Sequence, residues 1–203
     1  MTRPTRIALK TLAWLICLVP LARLMWGATK GDLGADPAAT LAFATGLAAL
    51  RILTASLAIT PLRKILPQLG WLAGFRRLLG LFAFFYATLH LTVWVVLYSG
   101  FDFHAMAGDV TKRRFIMAGM AAWLLLLPLA ATSTGWAIRK LGGKRWNRLH
   151  KLVYLAAVCG VVHYWWQVKT GVLTPMTITL VVAALLLARP LLALAKKMKP
   201  RPA

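Results

Sequence analysis

Acidic side chains are almost missing from this chain: 4 Asp and Glu together stand against 25 Lys and Arg, for a formal charge of +21. Cysteine is equally scarce, at 2 residues, Cys17 and Cys159. Both lie inside apolar runs, and neither has a Cys or His neighbour at metal-clip spacing. No disulfide framework and no zinc site is expected, and both read as small buried hydrophobes. A Walker loop, a dinucleotide fingerprint and a Ser/His/Asp set with a plausible base are all absent. So large a positive charge first suggests nucleic acid, but that requires a solvated basic face on a soluble fold. Here the basic residues fall mostly in short clusters between long apolar runs, so nucleic acid is not an expected partner.

Hydrophobicity is what the chain has in excess. Hydrophobic residues make up 60% of its 203 positions and its mean hydropathy is +0.71, where a soluble domain is nearer about 45–50% apolar. A helix needs about 20 mostly apolar residues to cross the bilayer core. Six stretches qualify, at about 7–27, 38–60, 78–100, 115–134, 149–168 and 172–195. Turn formers separate them: Gly31, Gly34 and Pro37, then Pro61 and Pro67, Gly100 and Gly108, Gly142 and Gly143, and Gly171 with Pro175. The expected fold is an all-α integral membrane protein, a six-helix bundle in the lipid bilayer. The apolar part of the first segment is long for a signal peptide, so it is read as a retained helix.

The N-terminus, the second loop, the fourth loop and the C-terminal tail hold seventeen Lys and Arg, and the alternate loops hold five. Cytoplasmic loops carry the excess of positive charge, which predicts both termini in the cytoplasm. The longest loops, of about 15–17 residues, are too short for a nucleotide-binding fold. Any reductant must then come from a mobile donor or another protein.

Of four histidines, His90, His150 and His163 lie in or at the edge of predicted spans. Ionisable side chains inside a membrane are costly and tend to be functional. His90 falls about 20 Å along its helix from Arg77, and His163 falls about 20 Å along its own from His150, at 1.5 Å per residue. Two imidazoles at one depth on two helices are the axial pair that a low-spin b-type haem needs. The 13 residues between His150 and His163 turn an ideal helix by about 220°, so those two do not share a face. His150 could ligate a second haem, contact haem propionates, bind another cofactor or be a solvated loop residue. His104 reads as a loop histidine. Arg51, in mid-span, could meet a propionate or a quinone carbonyl, or snorkel. The nine tryptophans lie mostly near span ends and read as interfacial belts.

Several stretches together resemble the MsrQ (YedZ) family, the haem-binding membrane subunits of a bacterial methionine sulfoxide reductase system. They are Gly31-Asp32-Leu33-Gly34-Ala35-Asp36-Pro37, Ile59-Thr60-Pro61, Arg76-Arg77-Leu78-Leu79-Gly80-Leu81 and Ala87-Thr88-Leu89-His90, followed by Thr132-Ser133-Thr134, Leu141-Gly142-Gly143-Lys144-Arg145-Trp146, Leu149-His150, Val153-Tyr154-Leu155 and His163-Tyr164. The resemblance covers roughly residues 31–168 in family order. It implies one ferric reductase-like transmembrane domain over 1–203, in the bacterial inner membrane. It implies electron transfer from the quinone pool, or a cytoplasmic flavin donor, to a periplasmic molybdenum reductase, MsrP. It also implies one or two haem b groups and FMN. Carried over, His90 and His163 match the outer haem pair and His150 matches a ligand of the inner haem. The inner partner position holds Arg76, with Arg77 beside it. Guanidinium stays protonated and is a poor iron ligand, so these arginines would pair with a propionate or an FMN phosphate, or anchor the helix in the cytoplasm. A stand-alone ferric reductase-like enzyme and a transporter or scaffold with structural histidines are the competing readings.

Overall fold

A computed structural model of the chain describes residues 2–168 and 173–198. All regular structure in them is helical. The helices are α1 (Arg3–Lys30), α2 (Pro37–Ile65), α3 (Arg76–Val93), α4 (Phe103–Lys112), α5 (Arg114–Ala131), α6 (Gly135–Leu141), α7 (Gly143–Leu149), α8 (Leu152–Gln167) and α9 (Leu173–Met198). A 3₁₀ segment, Pro67–Phe75, leads into α3, and a π-helical turn, Trp94–Tyr98, ends it.

Local chemistry sets the boundaries. Gly31 closes α1 in the left-handed region at φ 69°, a conformation that a Cβ would strain. Asp36 then starts α2 by accepting from the Ala39 N–H, with Pro37 in the first turn, where its missing N–H costs nothing. Asp102 caps α4 through the Ala105 N–H, and Asp109 near its end pairs with Arg113 at 2.8 Å.

Five helical stretches among the described residues are long and apolar enough to cross a bilayer: Arg3–Lys30, Pro37–Ile65, Pro67–Tyr98, Arg114–Ala131 and Leu173–Ala195. The stretch predicted at 149–168 differs. A turn at His150 and Lys151 delays the helix to Leu152, and the remaining 16 residues of α8, reaching about 24 Å, fall just under the roughly 17 residues of the shortest spanning helices. Two predicted loops hold helix as well: 101–114 folds largely as α4, and the fourth loop as α6 and α7. Lys169 and Gly171, between the predicted spans 149–168 and 172–195, lie outside the described residues.

Packing is most extensive between α2 and α3 and between α5 and α8. The core joins both pairs and α9, through Leu50, Leu53 and Leu57 on α2, Ala83 on α3, Leu126 on α5, Ala156, Ala157 and Val161 on α8, and Val182 on α9. The alanines are fully buried and let backbones approach where lipid supplies no hydrophobic drive. Ile7, Leu12, Leu15 and Ile16 of α1 point outward, as expected of a lipid-facing surface.

α1 docks through a second cluster, Cys17, Ala48, Phe82 and Tyr86. Pro20 lies inside α1 and weakens its hydrogen-bond ladder. The Tyr86 hydroxyl enters that ladder: it donates to the Cys17 carbonyl at 2.6 Å and accepts from the Leu21 N–H at 3.1 Å. An unbroken helix would bond those two groups to each other. Tyr86→Phe should cost about 1–3 kcal/mol, read as a lower unfolding temperature in detergent. An unchanged temperature would mean that Cys17 and Leu21 simply bond each other.

Candidate functional site

His90 on α3 and His163 on α8 meet inside the bundle, with ring centres 5.7 Å apart and planes at 78°. His90 Nδ1–H donates to the Ala42 carbonyl of α2 at 2.8 Å. His163 Nδ1–H donates to the Phe115 carbonyl of α5 at 2.6 Å. A carbonyl can only accept, so each Nδ1 holds the ring proton and each Nε2 keeps a free lone pair.

The two half-sites are built alike. Each accepting carbonyl lies 48 residues before its histidine. One turn past each carbonyl is a glycine, Gly46 on α2 and Gly119 on α5. A Cβ on Gly46 would come 3.0 Å from His90 Nδ1, and one on Gly119 would come 2.8 Å from His163 Nδ1. Each neighbouring helix therefore offers its imidazole a carbonyl to bond and a bare backbone to lie against.

Two imidazoles that share a metal through bonds of about 2.0–2.1 Å place their ring centres roughly 6 Å apart, close to the spacing seen. Among the described residues no group of three His, Cys, Asp or Glu side chains converges, so a bare ion would find too few donors. A macrocycle that brings four nitrogens of its own needs only two axial ligands, and this pair suits it.

A second cluster occupies the end of the bundle where α2 finishes and α3 begins. His150 stacks on Trp146 at 3.7 Å between ring centres, and its Nδ1 bonds the Trp146 carbonyl at 3.1 Å. Trp146 is itself held by an Nε1–H bond to the Thr132 carbonyl at 2.9 Å. Arg76 lies within electrostatic reach of His150, and its carbonyl accepts from Ser56 at 3.2 Å. His150 Nε2 is buried without a partner, as is Arg76 Nε. Arg77 is exposed, and so is His104 on α4. His150 and His163 belong to separate segments, because the turn at 150–151 breaks the helix between them, so the 220° offset of a single ideal helix does not apply.

Arg51 is exposed beside a shallow notch of about 190 Å³ that Thr54, Thr177, Ile178 and Val181 complete. Two tryptophans depart from the interfacial reading: Trp146, described above, and Trp123, which stacks on Phe84 and bonds Thr88 within the bundle.

Sequence reasoning passed over Gly46, Gly119 and Arg189. Arg189 on α9 donates to the Tyr154 hydroxyl at 2.5 Å and to the Leu57 carbonyl at 2.8 Å. Its signal was present, since it is the one ionisable residue inside an otherwise apolar run at 173–195.

Comparison with known proteins places the chain in a family. Residues 44–161 match the family described as ferric reductase like transmembrane component. A protein of Ralstonia nicotianae named protein-methionine-sulfoxide reductase heme-binding subunit MsrQ is 45% identical over 81% of this chain and 75% of its own length. Its namesake from Herminiimonas arsenicoxydans is 43% identical over 97% of this chain and 90% of its own length. The one from Deinococcus radiodurans is 48% identical over 85% and 84%. With five apolar helices of spanning length and matches that run over most of both chains, this multi-pass membrane protein belongs to the MsrQ family, within the ferric reductase-like transmembrane group.

Proposed function

We propose that this chain is the haem b electron-transfer subunit of a methionine sulfoxide reductase system. The observation that carries the reading is the facing pair His90 and His163, each with Nδ1 tied to a carbonyl and Nε2 left free. A b-type haem held there by His90 and His163 would supply one-electron redox chemistry. The protein's part is to hold the two imidazoles in one tautomer, to fix their planes and to keep water away. Second-shell bonds of this kind orient a ligating imidazole and raise its basicity.

The second cluster would hold the inner cofactor, a second haem on His150 or an FMN, with Arg76 and Arg77 toward its acid groups. In the proposed topology six helices span the bacterial inner membrane, α8 among them, with both termini cytoplasmic. Electrons enter from the quinone pool or a cytoplasmic flavin donor. They leave at the periplasmic face for the molybdenum-containing MsrP, where methionine sulfoxide is reduced. Residues 28–37 and 101–114, the latter now largely α4, face that partner.

An oxidised and a dithionite-reduced visible spectrum of the detergent-purified protein tests the proposal, with haem counted by pyridine haemochrome. A sharp reduced b-type α band is expected, and His150→Ala should reduce the haem count while sparing the His90–His163 signal if the inner cofactor is haem. Protein without haem, from cells given ample haem precursor, would refute the electron-transfer reading.

A further inference from the structure

Five buried side-chain polar atoms among the described residues have no hydrogen-bond partner: Thr60 Oγ1, Arg63 Nε, Arg76 Nε, His150 Nε2 and Arg189 Nε. They are not scattered. Ser56, Thr60 and Arg63 follow one face of α2 at i, i+4 and i+7. Ser56 bonds the Arg76 carbonyl, and Arg189 bonds the carbonyl of Leu57, beside Ser56. His150 and Tyr154 are four residues apart, and Tyr154 both accepts from Arg189 and offers its ring face to the guanidinium at 4.6 Å. Arg76 lies within electrostatic reach of both His150 and Arg189.

The charge in this chamber has no internal answer. Four acidic side chains exist in the whole chain, Asp32, Asp36, Asp102 and Asp109. Asp36 caps the opposite end of α2, roughly 40 Å along the helix from Arg63 at 1.5 Å per residue, and Asp32 lies in the short connection just before it. Asp102 caps α4 and Asp109 lies on it, beyond the far end of the helix that Arg76 begins. Half-buried guanidinium groups with shielded, unbonded nitrogens are costly until an anion meets them, and no acidic side chain of this protein can be that anion.

We infer that Arg189, together with Arg76, is a clamp for the acid groups of the planar redox cofactor beside His150, a cofactor that carries carboxylates or a phosphate. Its fork geometry suits either acid, bidentate, in a way that a lysine point charge does not. Tyr154 and the Leu57 carbonyl hold the two terminal nitrogens in place, and Nε stays buried without a partner. Arg189 lies outside the 44–161 stretch that matches the ferric reductase like family, so the clamp brings α9 into a site otherwise built from α2, α3, α7, α8 and the turn at His150. The inference rests on the proposed electron-transfer function.

The test uses the full-length, detergent-purified protein with Arg189→Gln. Haem per chain is counted by pyridine haemochrome, and flavin by fluorescence after release. The His90–His163 spectrum should persist, which also shows that the variant folds. The content of the second cofactor should fall roughly tenfold, and Arg189→Lys should fall between Arg189→Gln and the unmutated protein, because it restores the charge without the fork. Loss of haem with flavin unchanged assigns the acid groups to propionates; loss of flavin alone assigns them to a phosphate. If Arg189→Gln fails to fold, Tyr154→Phe is read instead and should lower the second cofactor about twofold by freeing the guanidinium. Haem and flavin contents equal to those of the unmutated protein overturn the clamp, as does an unmutated protein with a single haem and no flavin. An unmutated protein with no haem at all overturns the electron-transfer reading itself, a separate result.

Discussion

Replacing His90 or His163 by alanine should reduce the outer haem to background. Loss of a second-shell partner alone typically weakens a metal site about 10–100-fold, and loss of an axial ligand exceeds that. The measurement is the reduced-minus-oxidised spectrum of the purified variant together with its haem count. A collapse of the bundle would give the same loss, so His163→Gly with added imidazole provides the control. Free imidazole can enter the space of the missing ring and donate to the Phe115 carbonyl, which now receives His163 Nδ1–H at 2.6 Å. Recovery of the low-spin band with imidazole identifies His163 as a ligand. A normal bis-histidine spectrum in either alanine variant would show that the iron is held elsewhere.

Gly119→Ala should be nearly as damaging, without touching a ligand. The added methyl would lie 2.8 Å from His163 Nδ1 and 3.0 Å from Cε1, inside any normal carbon contact. The ring cannot retreat without surrendering its bond to Phe115, one turn away on the same helix. A loss of roughly 10–100-fold in haem retention is expected, as for removal of a second-shell partner. Gly46→Ala should be milder, because its closest approach to His90 is 3.0 Å. Valine at either position should be worse than alanine, since it adds bulk to a site with none to spare. Titrating haem into the variants ranks them, and equal retention in Gly119→Ala and the unmutated protein would mean that α5 moves aside at little cost.

The sequence made the histidine pair readable because helical rise is uniform. Counting residues from Arg77 and from His150 places His90 and His163 at one depth, and the two rings do meet, although the turn at 150–151 leaves only the stretch from Leu152 onward helical. The groups that hold the rings were not readable in the same way. Ala42 and Phe115 act through carbonyls, which every residue has, and the work of Gly46 and Gly119 is to lack an atom. Only the packing of α2 on α3 and of α5 on α8 reveals either role. Arg189 was overlooked for another reason: averaged over a long apolar run, one arginine barely lowers the hydropathy. The turn at His150 and Lys151 lies where apolar residues continue on its far side, so composition placed the start of that span a few residues early.

The aspartates at one end of the molecule have a further consequence. None of the helices that carry or surround the histidine pair contains a carboxylate. The ring protons of His90 and His163 are both committed to backbone carbonyls. Side-chain proton wires through membranes are built from Asp, Glu and His, and here nothing is left to string one. In the proposed topology an electron would therefore cross as bare charge, with no proton moving beside it. A full crossing toward the positive outer face would then gain about 2.3 kcal/mol per 100 mV of membrane potential, so the cell's own voltage would help drive reducing power outward.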